Sequence, residues 1–297
     1  MAPSKIPDTV AHYDVRRGDS LWKISIHQLG DALLFNELAK LNGLSPNALL
    51  QIDQRLIVPD YRRYDLTVAY MRSEMVNNAN GPEARAIADV ITRSKQLQAE
   101  SDKALEDMKK AKWYELFRVY GDQQMFNATV QQSGIAVAEA KARWFVQVRQ
   151  DGPWDHKPIL QKMYESMPAP PRPFGTLGRA FHFPIRGDLF HEFFYDIWSN
   201  IHYGYVGTRC GFDEQTLQEG AASGLPGAGG NDQGDIISVK IGVDLWRGFG
   251  ATLSADQLRR AILAQTANSQ AARAREIGQG IKEADATNVV ITNNDYK

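Results

Sequence analysis

Short strand-like patterns of apolar and polar residues stand near the two ends of the first sixty positions. Tyr13-Asp14-Val15 alternates as a short, half-buried strand does, and Arg55-Leu56-Ile57-Val58 makes a return strand closed by Pro59. Between them the period lengthens. Leu21, Ile24 and Gln28 fall at helical spacing with Trp22 beside them, which predicts a helix over about 21–28 with Gly30 as its stop. A second helix is expected over about 33–41, ending at Asn42-Gly43. Gly18-Asp19-Ser20 is a turn whose Asp and Ser oxygens can accept from the free N–H groups of the first helix. The order is βααβ, and residues 1–11 read as a flexible tail before it.

Beyond residue 65 the helical period dominates. Residues 65–118 are helical in pattern, and 82–113 are rich in Ala, Glu, Lys and Gln. Their apolar positions do not sustain a heptad, so packed helices are expected rather than a coiled spacer. A further helix is predicted over 136–148. Residues 150–187 are loop-rich, with the extended proline run MPAPPRP at their middle. An aromatic, strongly apolar stretch follows over 189–205, then a Gly-rich, mobile loop over 220–235. Residues 254–284 form an Ala-, Arg- and Gln-rich helix, and the last dozen positions are expected to fray. The fold class expected is α+β: a small βααβ module over 12–60, a larger and mainly helical domain with long loops over 66–285, and a tail over 286–297.

Composition narrows this only a little. With 297 residues, 43% of them hydrophobic, the chain is long enough for a small and a large domain, each with a core. A formal net charge of −1 supplies no global attraction to nucleic acid or anionic lipid, although a local basic groove remains open. Cys210 is the sole cysteine, so neither an intrachain disulfide nor a cysteine metal cluster can form. The start, MAPSKIPDTVAHYD, lacks the apolar run of a Sec signal, and no segment is apolar for the thickness of a bilayer. The expectation is a protein made in the cytoplasm. It would reach the periplasm or wall of a target bacterium by a secretion apparatus, by phage-type release or by lysis.

The first sixty residues carry a specific pattern. Tyr13-x-Val15-x-x-Gly18-Asp19-Ser20-Leu21-Trp22-x-Ile24 opens it, Leu41-Asn42-Gly43-Leu44 lies in the middle, and Ile52-x-Gln54-x-Leu56-x-Val58-Pro59 ends it. This segment resembles a LysM domain. The resemblance implies a βααβ fold that binds N-acetylglucosamine polymers such as peptidoglycan, in a shallow groove between two loops. Those loops correspond here to Gly18, Asp19, Ser20 and Leu21, and to Asn42, Gly43, Leu44 and onward to Ile52. Leu21 and Leu44 would lie under the sugar ring. Asp53 stands where the family usually has Gly, a position that implies positive φ, which Asp tolerates better than most residues.

In the larger domain, polar groups interrupt apolar runs. Gly152-Pro153-Trp154-Asp155-His156-Lys157 is a tight turn bearing an acid, an imidazole and an amine. Asn200 and His202 sit inside the aromatic stretch, Asp232 and Asp235 end the Gly-rich loop, and Glu74 and Asn78 lie one helical turn apart. A carboxyl in an apolar setting can stay protonated and donate to a leaving group, while a second carboxylate activates water. Each residue also has a purely structural reading. Asp155 can cap a turn with Lys157 paired to it, Asn200 and His202 can be satisfied core polars, Glu74 a solvated helix residue, and Asp232 and Asp235 loop solubilisers.

These clusters, in order with Tyr70, Gly204-Tyr205-Val206-Gly207, Gly211-Phe212 and Gly220-Ala221-Ala222, resemble the polymorphic toxin type 44 domain over about 66–246. That resemblance implies an effector used between bacteria and made with a cognate immunity protein. It does not carry over a reaction. Three functions follow. The first is a peptidoglycan hydrolase that cleaves glycan strands, with Glu74 or Asp155 as general acid and Asp155, Lys157, Asn200, His202, Asp232 and Asp235 in the site. The second is a nuclease toxin of the RNase kind, with His202, Lys157 and Asp155 as base, phosphate clamp and orienting acid. The third is a non-enzymatic part of a phage tail or secretion apparatus, docked to the wall. No cofactor is expected, and a divalent metal at Asp155, His202 and Asp235 is left open. No nucleotide loop, HExxH or GxSxG pattern is present.

Overall fold

The computed structural model describes residues 10–29, 32–59, 62–112, 115–165, 182–188, 191–221, 233–281 and 289–291. The proline run, most of the Gly-rich loop with Asp232 and the Gly30 stop lie outside the described residues, as does the tail expected over 286–297 apart from Val289–Ile291, which form a paired strand instead of fraying.

Two hydrophobic cores organise the chain. The first belongs to the N-terminal βααβ unit. Strand β1 (Val10–Asp14) pairs antiparallel with β2 (Arg55–Pro59), Tyr13 opposite Leu56. The strand therefore begins within the stretch expected to be tail. Helix α1 (Leu21–Ile24) starts at Ser20, whose side chain accepts from the Lys23 N–H, and continues as a π-helical turn over Ser25–Leu29. A 3-10 turn (Ala32–Leu34) leads into α2 (Phe35–Leu41). Leu21, Ile24, Leu29, Leu38, Leu56 and Val58 close this core.

The larger part is mainly helical. α3 (Arg62–Asn80) and α4 (Pro82–Lys110) are separated by Gly81, and α5 (Leu116–Val148) packs against α4 as a long helical hairpin. The hairpin is joined at Ser94 and Ser133, whose hydroxyls bond each other. α6 (Lys157–Glu165) follows the tight turn. A small antiparallel sheet, β3 (His182–Pro184), β4 (His191–Phe194) and β5 (Val289–Ile291), stands ahead of α7 (Ile197–Arg209). α8 (Glu214–Ala221), α9 (Gln233–Phe249), α10 (Ala255–Ala264) and α11 (Thr266–Gly278) complete the domain. The terminal helix expected over 254–284 is thus two helices, and α10 opens with a Ser254–Gln257 capping box. The molecule is α+β, a small strand-helix unit ahead of a larger helical part. No described helix is long and apolar enough to cross a membrane.

The core of the larger part is centred on α7. Trp198, Ile201, Tyr205 and Val206 are fully buried on it, packed against Met71 and Met75 of α3 and Val239 and Val243 of α9. A helix buried on most of its circumference has nowhere to hide unpartnered polar groups, so those it carries must be bonded or must face a cavity.

Candidate functional site

The site begins where α7 crosses α9. A Cβ added at Gly204 would lie 2.1 Å from the Val239 carbonyl oxygen, and one at Gly242 would lie 2.1 Å from that of Ile201. Only glycine allows backbones this close. The crossing sets Asn200, on α7, against Asp235, in the first turn of α9, and Asn200 Nδ2 donates to Asp235 Oδ1 at 2.5 Å. A carboxylate there is also favoured by the positive end of the helix dipole. Glu276 of α11, itself buried, accepts from the Gln233 N–H and anchors the start of α9.

The tight turn supplies the second group. Gly152 packs so closely on the α5 C-terminus that a Cβ would lie 2.6 Å from the Gln147 carbonyl oxygen. The Asp155 carboxylate accepts from the N–H groups of Asp151 (3.0 Å) and Lys157 (3.1 Å), which fastens the turn and caps α6. The capping part of the structural reading is therefore seen. Its pairing with the Lys157 ammonium is not: no ion pair joins the two among the described residues.

Beneath these lies a buried pair of imidazoles. The His156 and His202 rings meet edge to face, 4.4 Å between centroids. The Tyr70 hydroxyl bonds His156 Nδ1 at 3.0 Å, and Asn78 Nδ2 bonds His202 Nε2 at 3.0 Å. Desolvation holds His156 down to about 4, against the opposing charge of Asp155. His202 is also held well below its usual value, by burial first and then by His156. Both rings are neutral at neutral pH. Burial, aided by the charge of Glu74, pushes the Tyr70 hydroxyl up to about 12.

A cleft of about 790 Å³ opens over this arrangement, and Asp155, Lys157, Asn200, His202 and Asp235 all line it. One wall is aromatic: Trp144 stands 5.6 Å from Trp154, 5.1 Å from Tyr203 and 5.5 Å from Phe212, centroid to centroid. Five of the predicted residues thus come together. Glu74 does not line the cleft, and Asp232 lies outside the described residues. On α3 the residues tied to the site are the neighbours Tyr70 and Asn78. Lys141, Arg149, Asp151 and Glu219 also line the cleft, and no sequence signal separated them from ordinary helix and turn charges. Among the described residues no three His, Cys, Asp or Glu side chains form a metal-binding group. Burial pushes the Cys210 thiol up to about 12, which leaves it an unreactive core residue.

In the N-terminal unit, turn chemistry occupies much of the expected glycan groove. Asp19 accepts from the Tyr13 hydroxyl and the Arg16 N–H, and Ser20 caps α1. The Asn42 amide bonds both backbone groups of Ile57 and clamps α2 to β2. Leu21 is only 3% exposed and belongs to the core rather than to a sugar-binding floor. Gly18 and Gly43 adopt positive φ, +88° and +64°, and Asp53 does so at +66°. Ile52 is exposed and borders a concavity of about 480 Å³, together with Arg16, Arg17 and Asp53.

Two family models match the chain. Residues 13–59 match the LysM domain, and residues 143–248 match bacterial toxin 44. The second span contains Trp144, the tight turn, α7 and all but the end of α9. Neither a curated protein nor a solved structure matches. Two segments of the chain are thus similar to known families, the first to the LysM domain and the second to bacterial toxin 44, in that order.

Proposed function

We propose that the protein is a wall-directed antibacterial toxin whose LysM domain holds peptidoglycan while the cleft hydrolyses its glycan strands. The observation that carries this reading is the meeting of Asp155, Lys157, Asn200, His202 and Asp235 on one aromatic-walled cleft. Flat sugar faces pack well on aromatic rings, and Trp144, Trp154, Tyr203 and Phe212 supply them. With both imidazoles held neutral, neither is an imidazolium acid at neutral pH. Proton transfer then falls to the carboxylates, and Asp155 and Asp235 share the acid and base roles of glycosidic cleavage. Glu74, away from the cleft, is left out of them. Asn200 orients Asp235, and Lys157 steadies negative charge. Binding by the LysM domain raises the local substrate concentration at the cleft, as any short tether does. A toxin of this kind is made with an immunity protein that protects the producer and leaves the cell with a secretion carrier.

The test is digestion of purified sacculi by wild type, Asp155→Asn and Asp235→Asn, with released muropeptides measured by chromatography. Wild type should release them, and each variant should be at least a hundredfold slower, the usual scale of a lost acid or base. If wild type releases none, hydrolysis is the wrong reading. A nuclease remains the second reading, favoured by Lys141, Arg149 and Lys157 on the same cleft. Compartment separates the two. Toxicity only with a periplasmic signal attached supports the wall enzyme, and toxicity of the cytoplasmic form supports the nuclease.

A further inference from the structure

The cleft is lined by three cations and four carboxylates, and the two kinds of charge differ in how they are held. Lys141 and Arg149 come from the C-terminal end of α5, and Lys157 opens α6. Among the described residues none of the three forms an ion pair. Lys141 reaches only as far as lowering Asp213, whose carboxylate is already taken by the Thr216 N–H. Three of the four carboxylates on the same cleft have donors of their own. Asp155 accepts from two backbone N–H groups, Asp235 from Asn200, and Glu219 from the Gln215 amide. The fourth, Asp151, is exposed on the turn. Three of the acids are thus fixed in place by neutral donors, which leave their charge intact, while among the described residues the three cations are held by no acid.

Cations without an ion pair among the described residues, beside an aromatic wall, fit a ligand that carries both sugar rings and acid groups. An N-acetylated glycan can be neutral, as chitin is, or can bear carboxylates. Wall glycan has them from two sources, its peptide stems and, on muramic residues whose stem has been removed, the freed lactyl carboxylate. We propose that the cleft selects carboxylate-bearing N-acetylated glycan over neutral glycan, and that Lys141 and Arg149 are the residues that make the selection. Arg149 offers the planar fork that matches a carboxylate in two hydrogen bonds, and Lys141 a compact point charge. This rests on the reading of the cleft as the glycan site, but it concerns binding and needs no turnover.

The experiment uses the full chain, wild type against Lys141→Gln/Arg149→Gln, with equilibrium binding followed by fluorescence at low and high salt. The labelled probes are a chitin oligomer, wall strands stripped of peptide by an amidase, and strands that keep their stems. The LysM domain contributes alike to both proteins, so the difference between them reports the cleft. Removing two exposed charges should weaken binding of the acidic strands roughly tenfold at low salt. Chitin binding should be unchanged, and salt should shrink the gap. A loss on stripped strands assigns the lactyl carboxylate, and a loss only on peptide-bearing strands assigns the stem. The proposal falls if chitin weakens equally or if neither acidic probe weakens. It also falls if a short RNA alone loses binding, since the cations then serve a nucleic acid. Charge-dependent binding of strands without muropeptide release from sacculi would sink hydrolysis and leave this selection standing. Release that the double substitution leaves untouched, with binding also untouched, would do the reverse.

Discussion

At the scale of single residues, Asp53 and the imidazole pair show how local chemistry makes measurable demands. Asp53 holds φ +66° while its N–H donates to the Val15 carbonyl, so the left-handed backbone is part of the join between β1 and β2. The irregularity was legible in the sequence because the LysM pattern has Gly there. Asp53→Gly is expected to leave stability unchanged or raise it by up to about 1 kcal/mol, and Asp53→Val to lower it by about 1–2 kcal/mol. Chemical denaturation of the full chain measures both, and a Val variant as stable as wild type would contradict the strain. The imidazoles act through pH. An unfolded His binds a proton near 6.5, whereas folded His156 does so only near 4. Above pH 6.5 both states are neutral and nothing is lost. As pH falls from 6.5 toward 4 the unfolded state gains protons that the folded state refuses, and stability falls. His156 alone removes about 3 kcal/mol by pH 4. His202 adds to the loss with the same sign. Asp19, Asp213 and Asp256, lowered from 3.8, act at still lower pH and leave this window to the imidazoles. Denaturant midpoints at pH 7, 5.5 and 4.5 should fall steadily, and His156→Gln should flatten the decline. A flat wild-type profile would refute the buried neutral pair.

Among the elements, helix packing decides what the sequence could reveal. The polar interruptions at Asp155, Asn200, His202 and Asp235 were legible because each breaks an apolar or Gly-rich pattern. Their common cleft was not, because it depends on the α7–α9 crossing, and that rests on two glycines far apart in sequence. Gly204→Ala drives a methyl into the Val239 carbonyl, and Gly242→Ala into that of Ile201. Either should cost about 1–3 kcal/mol, as overpacking does, and should push Asn200 off Asp235. Thermal melting reads the first effect. Lost sacculus digestion at temperatures where the variant is still folded reads the second. Full activity in a destabilised variant would separate the crossing from the site. Helix α5 shows the opposite kind of failure. Its residues 119–135 received no assignment from the pattern, because Gly121 and Gly134 lower helix propensity and Tyr120, Met125, Val130 and Ile135 face solvent without a single apolar stripe. Packing along α4, closed by Ser94 and Ser133, outweighs the propensity. Lys141 and Arg149 carry no sequence signal for a related reason: on a long exposed helix a cation is indistinguishable from a solubilising charge.

For the whole molecule, the question is how the N-terminal βααβ unit is held to the larger helical domain. The two cores are separate, and Arg186 links them. Its guanidinium takes both oxygens of Asp65 at 2.7 and 2.6 Å, and its Nη1 donates to the Gln28 carbonyl at the end of the π-helical turn, at 2.6 Å. Its own carbonyl accepts from Arg259 of α10. One side chain thus ties the βααβ unit to α3 and, through its backbone, to α10. A two-pronged arginine–carboxylate pair is among the stronger half-exposed ion pairs, yet its worth is still on the order of 1 kcal/mol. Arg186→Ala should therefore not unfold either core. It should release the first from the second, so that backbone amides of Leu21–Leu41 exchange with deuterium several-fold faster while those of α7 and α9 keep their rates. Binding of chitin by the N-terminal unit, on the reading proposed above, should persist. Digestion of sacculi should slow to the extent that a fixed orientation of the unit presents strands to the cleft. If exchange rises equally in both cores, Arg186 supports general stability. If it rises in neither, the contact with Gln28 couples nothing. Only the uneven result makes Arg186 the joint between the unit proposed to find the wall and the domain proposed to cut it.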